Sequence, residues 1–246
     1  MTARCTLHQF YFSHFNEKAR WALDWKGVPH DRRNLLPGPH AGAARRLSGQ
    51  TATPILEIDG DAVAGSAAIV EAVDALSPER PLFPDDAATR AEVERWIVWL
   101  DDEVGPAVRL SLFHVLLPES RYAARIFGGA QPFWKAVPYR ALFPAMVPRL
   151  LSMMEIDEET ARAADTTIDA ALDRVADAVR DRDHLVGDDF TAADLTAAAF
   201  LMPLCFPPKG PIALETPIPA PLASWLARWE GHEAIAWTRR TFDRYR

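Results

Sequence analysis

A chain of 246 residues that is 49% hydrophobic and 25% charged can bury a substantial core, which excludes a disordered polymer. Its net charge of -7, with no basic block, argues against a nucleic-acid or anionic-membrane surface. The N-terminal "MTARCTLHQFYF" lacks the marks of a secretory signal, and no apolar run is long enough to span a bilayer, so a cytoplasmic protein is expected.

In chain order, "CTLHQF" reads as a first strand. "FNEKARWALDWKG" follows as a helix, with Phe15, Ala19, Ala22 and Leu23 on one face and Gly27 as its stop. "HDRRNLL" is a candidate second strand, leading into a loop with a short helix. Leu56 and Ile58 alternate in a third strand, and Asp59-Gly60 is a two-residue hairpin turn. Ile69, Val73 and Leu76 then repeat at helical spacing. Residues 1–76 therefore form an expected mixed α/β domain, and the proline-rich stretch 77–86 a linker. Residues 87–246 read as all-helical. Ile168, Leu172, Val175 and Val179 mark one helix, and Thr191 with Asp194 makes a capping box before another. Prolines at 106, 118, 132, 138, 144 and 148 predict short helices and long connections in the middle stretch. Cys5 and Cys205 form no CxxC or zinc spacing and read as core thiols; the histidines show no ligand spacing, so no metal is expected.

Three positions invite a functional reading beside a structural one. Ser13 lies between the first strand and the first helix. It serves either as an N-cap or as a hydroxyl that stabilises an anion at the positive end of the helix. Thr53-Pro54 places a proline at a strand start, either as an edge device or to leave the backbone of Thr53 open to an extended ligand. Gly65-Ser66 opens the next helix, as a cap or as a carboxylate site.

Taken in order, the features form a set: Ser13 through Leu23 in the pattern Ser-x-Phe-x-x-Lys-x-Arg-Trp-Ala-Leu, then Thr53-Pro54 with its hairpin, Ser66, Pro81-Leu82-Phe83-Pro84, and Phe190-Thr191 with Asp194. This set resembles the cytosolic glutathione transferase superfamily, in a branch that uses serine. The resemblance implies a thioredoxin-like α/β N-terminal domain, an all-α C-terminal domain, and a homodimer. It implies glutathione as co-substrate, with Ser13 activating its thiol, Thr53 before a cis Pro54 pairing with its backbone, and Ser66 holding its γ-glutamyl carboxylate. Gln9 stands where other branches carry a tyrosine, and Tyr11 is offset from that place. "SHFN" lacks the cysteines of the redox relatives, and Gly65 replaces the acid that most relatives place before the serine. Arg32, Arg33 and Gln50 are unranked candidates for the glycyl carboxylate.

The expected activity is attack of the glutathione thiolate on a small apolar electrophile. That electrophile would be held against Phe12, Phe15, Trp99 and Phe113, with Trp96 as a further candidate. The alternative is a non-catalytic binding protein on the same fold.

Overall fold

The computed structural model describes residues 3–246; residues 1 and 2, counted in the expected first domain, lie outside them. β1 (Cys5–Gln9) is buried along its whole length because it has a neighbour on each side. It pairs in parallel with β2 (His30–Asn34) and antiparallel with β3 (Ile55–Ile58), and β4 (Asp61–Ala64) closes the sheet in the order β2-β1-β3-β4. Central burial obliges its polar side chains to find partners. His8 pairs with Glu57, and Gln9 donates to Asn34 Oδ1 at 2.8 Å. The β3–β4 hairpin turns on Asp59 and Gly60, both at positive φ.

The first helix, α1 (His14–Trp25), and α3 (Ser66–Leu76) pack against each other. The short α2 (Ala41–Ser48) lies between β2 and β3 in sequence. Sequence periodicity gives α1 one apolar face, but every residue of it from Asn16 to Leu23 is buried. The reason is a second neighbour: α9 (Ala192–Leu201), itself buried throughout, packs on the other side. The charged residues of α1 are therefore paired. Lys18 meets Asp101 at 2.7 Å; Glu17 meets both Arg20 and Arg246 at 2.6 Å. One contiguous core runs through both halves of the molecule.

Between Leu76 and Ala87 there is no helix or strand. Then come α4 (Ala87–Trp99), a π-helical segment Leu100–Val104, α5 (Gly105–Leu116), α6 (Ser120–Gly128), α7 (Phe133–Met153), α8 (Glu158–Ala178), α9, α10 (Ala220–Ala227) and α11 (Glu233–Tyr245). The sequence expectation fails for the middle stretch. Instead of short pieces, α7 runs for 21 residues with Pro138, Pro144 and Pro148 inside it. Ala136, Tyr139, Phe143 and Val147 form a buried stripe on α7, and α6 packs on this helix. Pro138 and Pro148 point to solvent, where a carbonyl freed by a missing amide can bind water. Tertiary burial thus overrides a strong local signal. No helix among the described residues is long and apolar enough to cross a membrane.

Candidate functional site

A cavity of about 650 Å³ lies between the start of α1 and the loops around Gly38 and Thr51–Thr53 on one side, and α5 and α7 on the other. The first side may be called the sheet wall and the second the helical wall.

On the sheet wall, Ser13 is the N-cap of α1 and lines the cavity. Its Oγ accepts from Asn16 Nδ2 at 2.7 Å and from Asn16 N at 3.4 Å. Asn16 is fully buried, and its Oδ1 accepts from Phe10 N at 3.2 Å, which assigns its amide orientation. The same Nδ2 reaches Thr53 Oγ1 at 3.3 Å. With lone pairs of Ser13 Oγ taken by Asn16, its own proton is left to donate into the cavity. The Thr53–Pro54 peptide is cis. Among the described residues, the backbone N–H and C=O of Thr53 have no hydrogen-bond partner. Pro54 O accepts from Gly65 N at 3.0 Å, which ties the loop to the start of α3 and to Ser66. A continuous chain of contacts therefore joins Ser13, Asn16, Thr53, Pro54, Gly65 and Ser66. Pro54, Gly65 and Ser66 stand behind the cavity rather than on its surface. Gly65 has φ 95°, which L side chains rarely adopt, so an acid in its place would be strained although the space beside it is open.

His14 follows Ser13 and is buried. Its Nε2 donates to Gly105 O at 2.9 Å, and burial drives its pKa down to about 3, so it is neutral at working pH. His8 and His184 are buried as well, and His232 caps α11. Tyr11 donates to Pro211 O at 2.5 Å and does not line the cavity. Gln9 is held between Asn34 and Arg20. Arg32 is committed to Asp24 at 2.6 Å, and neither Arg33 nor Gln50 reaches the cavity, whereas Thr51 does.

The helical wall carries Arg109, Leu112 and Phe113 from α5 and its C-cap Leu117, with Met146, Arg149 and Met153 from α7. Phe12 and Phe15 complete the apolar lining, Phe12 with its ring 5.6 Å from that of Phe127 and 5.9 Å from that of Phe206. Trp99 is not there. It packs 5.4 Å from Trp96 beneath the Arg174 guanidinium and donates to Glu103 Oε2 at 3.2 Å, so neither tryptophan serves the cavity. In an unbroken α-helix Trp99 and Phe113 would point within about 40° of each other. The π-helical segment between them has a wider turn and shifts that phase. Cys5 is buried and Cys205 half-buried; burial raises both thiols, that of Cys205 to about 12, so neither is a nucleophile at neutral pH.

Residues 7–81 match the family model of the glutathione S-transferase N-terminal domain, and residues 136–228 match that of the C-terminal domain. The chain belongs to the cytosolic glutathione transferase superfamily. Its α/β half followed by an all-helical half is the transferase architecture. A curated relative, a probable maleylacetoacetate isomerase 2 of Drosophila melanogaster, is 28% identical over 115 residues. That match takes in 44% of this chain and spans about half (51%) of the relative's length. Among solved structures, the β-etherase LigF of Sphingobium shares the fold with a TM-score of 0.63 at 19% identity, covering 98% of this chain and 100% of that one. A theta class glutathione S-transferase of Xanthomonas axonopodis pv. citri with glutathione bound has a TM-score of 0.60 at 21% identity, covering 94% of each chain. At these identities the likeness speaks for the transferase fold alone.

Asn16 is the site residue that sequence reasoning missed. Its signal was an amide side chain three residues into a helix, a position from which it can only serve the N-cap or the loop beside it. Arg109 was missed too, because it lies in the proline-cut stretch where no helical register was assigned.

Proposed function

We propose that this chain is a glutathione-dependent transferase in which Ser13 holds the glutathione thiolate. The reading rests above all on the orientation of Ser13. Asn16 donates to its Oγ, so the hydroxyl proton is free to bond an anion in the cavity. The N-terminus of α1 adds its partial positive charge at the same place. In the proposed step the thiol gives its proton to solvent, and Ser13 O–H donates to the resulting S⁻. The sulfur then attacks an electrophilic carbon, forming C–S as the leaving group departs with its electron pair. The unpaired backbone of Thr53 would take the peptide in the manner of an added strand, and Ser66 at the start of α3 would take a carboxylate. The apolar electrophile would lie against Phe12, Phe15 and Phe113. In this reading residues 3–76 supply the glutathione side, and residues 87–246, together with Phe12 and Phe15, the second-substrate side. Neutral His14 contributes no charge to either.

A free thiol titrates near 8.5, and a depression of ~2 units corresponds to about 2.7 kcal/mol. The test is the pH dependence of the thiolate ultraviolet absorbance of bound glutathione. The wild type is expected to titrate near 6.5, and Ser13→Ala near the free value, with turnover of a nitro-activated aryl chloride down ~30-fold or more. Binding with an unshifted thiol in the wild type would favour a non-catalytic binding protein. The absence of an acid at Gly65, and of any carboxylate lining the cavity, gives that second reading its footing.

A further inference from the structure

The cavity holds an imbalance of charge. Its lining includes Arg109 and Arg149, and no aspartate or glutamate. Elsewhere in the molecule many basic side chains are neutralised, as Lys18 is by Asp101, Arg125 by Glu215, and Arg228 by Asp165 and Asp169. Among the described residues, Arg109 has no ion pair and no hydrogen bond; its one polar-type contact is its guanidinium 5.8 Å from the ring centre of Phe15. Arg109 is exposed at the cavity, and partial desolvation by the surrounding walls holds its pKa below the usual arginine value. An arginine so placed keeps its charge and lacks the acceptors that a planar five-donor fork is built to meet.

Its position is fixed from below. Gly105 lies one turn earlier on α5, where a Cβ would come within 2.7 Å of Phe15 and 2.8 Å of Phe200. The missing side chain lets α5 sit directly on the start of α1, and His14 fastens the two together through Gly105 O. Arg109 therefore stands beside Phe15 and His14, next to Ser13, while Leu112, Phe113 and Leu117 continue the same face of α5 as an apolar surface. The array expected to take glutathione, from Thr53 to Ser66, belongs to the sheet wall.

We propose that Arg109 binds an acidic group, most simply a carboxylate, on the second substrate, whose apolar or aromatic body lies along Leu112 and Phe113. This assignment rests on the transferase reading for its chemistry, but the anion site itself does not require turnover. In the reaction the thiolate forms a C–S bond and the leaving group departs as an anion; the substrate's carboxylate stays on Arg109 and is unchanged.

The test uses two probes of one shape, 4-chloro-3,5-dinitrobenzoate and its methyl ester, with glutathione and the full chain. Attack at the ring carbon expels chloride in both; because the ester withdraws more electron density from that carbon, each enzymatic rate is divided by the probe's rate with free glutathione before comparison. The wild type is expected to favour the acid over the ester in kcat/KM by about ten-fold or more. Arg109→Ala should abolish that preference, and Arg109→Lys should restore part of it, with the thiolate absorbance of bound glutathione unchanged in both variants. Arg109 holds no other residue in place, so these variants are expected to fold. Equal normalised rates for the two probes in the wild type would overturn the proposal. So would a loss of glutathione affinity or a raised thiol pKa in Arg109→Ala, because Arg109 would then serve glutathione. If no conjugation occurs with either probe, titration of the benzoate by calorimetry separates the two ideas. Arg109-dependent binding upholds the anion site while the transferase reading fails, and no such binding overturns the site as well.

Discussion

On the sheet wall the side chains behind Ser13 are paired with one another, and the proton of Ser13 and the backbone of Thr53 are left open. Asn16 serves Ser13, Thr53 and Phe10; Glu17 serves Arg20 and Arg246; His14 serves Gly105. The helical wall is the reverse. Among the described residues, Arg109 and Arg149 line the cavity without a counter-ion. The difference separates two tasks. A wall that must hold one hydroxyl in one orientation is tied down by its own residues. On the proposed reading, the wall that accepts a varied second molecule leaves its arginines free for that molecule.

The contrast can be broken most forcefully at Glu17. Its side chain is fully buried between two guanidinium groups, so Glu17→Gln leaves charge uncompensated beneath the site. A loss of about 3–5 kcal/mol in urea unfolding is expected; a loss under ~1 kcal/mol would mean that the network does not hold the wall. Next comes His14. Its pKa is about 3 when folded and 6.5 as an ordinary histidine. Between those values the unfolded chain binds a proton that the folded chain refuses, so stability falls as pH drops from 6.5 toward 3, by ~1.4 kcal/mol per unit at most. Denaturant midpoints at pH 7 and 4.5 should differ less for His14→Gln than for the wild type, because the variant has lost this contribution. An equal shift would mean that the ring titrates normally. The smallest effect belongs to the helical wall: Arg149→Ala should change stability by no more than ~0.5 kcal/mol, since it has no partner to lose. A large loss there would erase the distinction between the walls.

Much of this plan was legible in the sequence where local chemistry decides the outcome. The Asp59-Gly60 hairpin, Ser13 as the cap of α1 and the Thr191–Asp194 capping box depend on a few adjacent residues, and all three appear as read. The order of motifs carried the family, because spacing over the whole chain is harder to meet by chance than any one motif. What could not be read depended on distant contacts. α8 and α7 are each 21 residues long, but α8 opens with a capping box and follows its periodicity, while α7 contains three prolines and was read as broken. The buried stripe from Ala136 to Val147, which no local rule reveals, keeps it helical. Trp99 failed for a similar reason: one π-helical turn, invisible in composition, moved it to another face of the rod.

The three prolines of α7 carry a consequence for access. Without their amides, the carbonyls of Trp134, Arg140 and Pro144 have no backbone donor four residues on, so this helix has fewer rungs to break than α8 when it bends. It is also the helix that brings Met146, Arg149 and Met153 over the cavity. The roof is thus less costly to deform than a helix with all its rungs, and on the proposed reading a bulky second substrate would enter by flexing it while the start of α1 keeps its place.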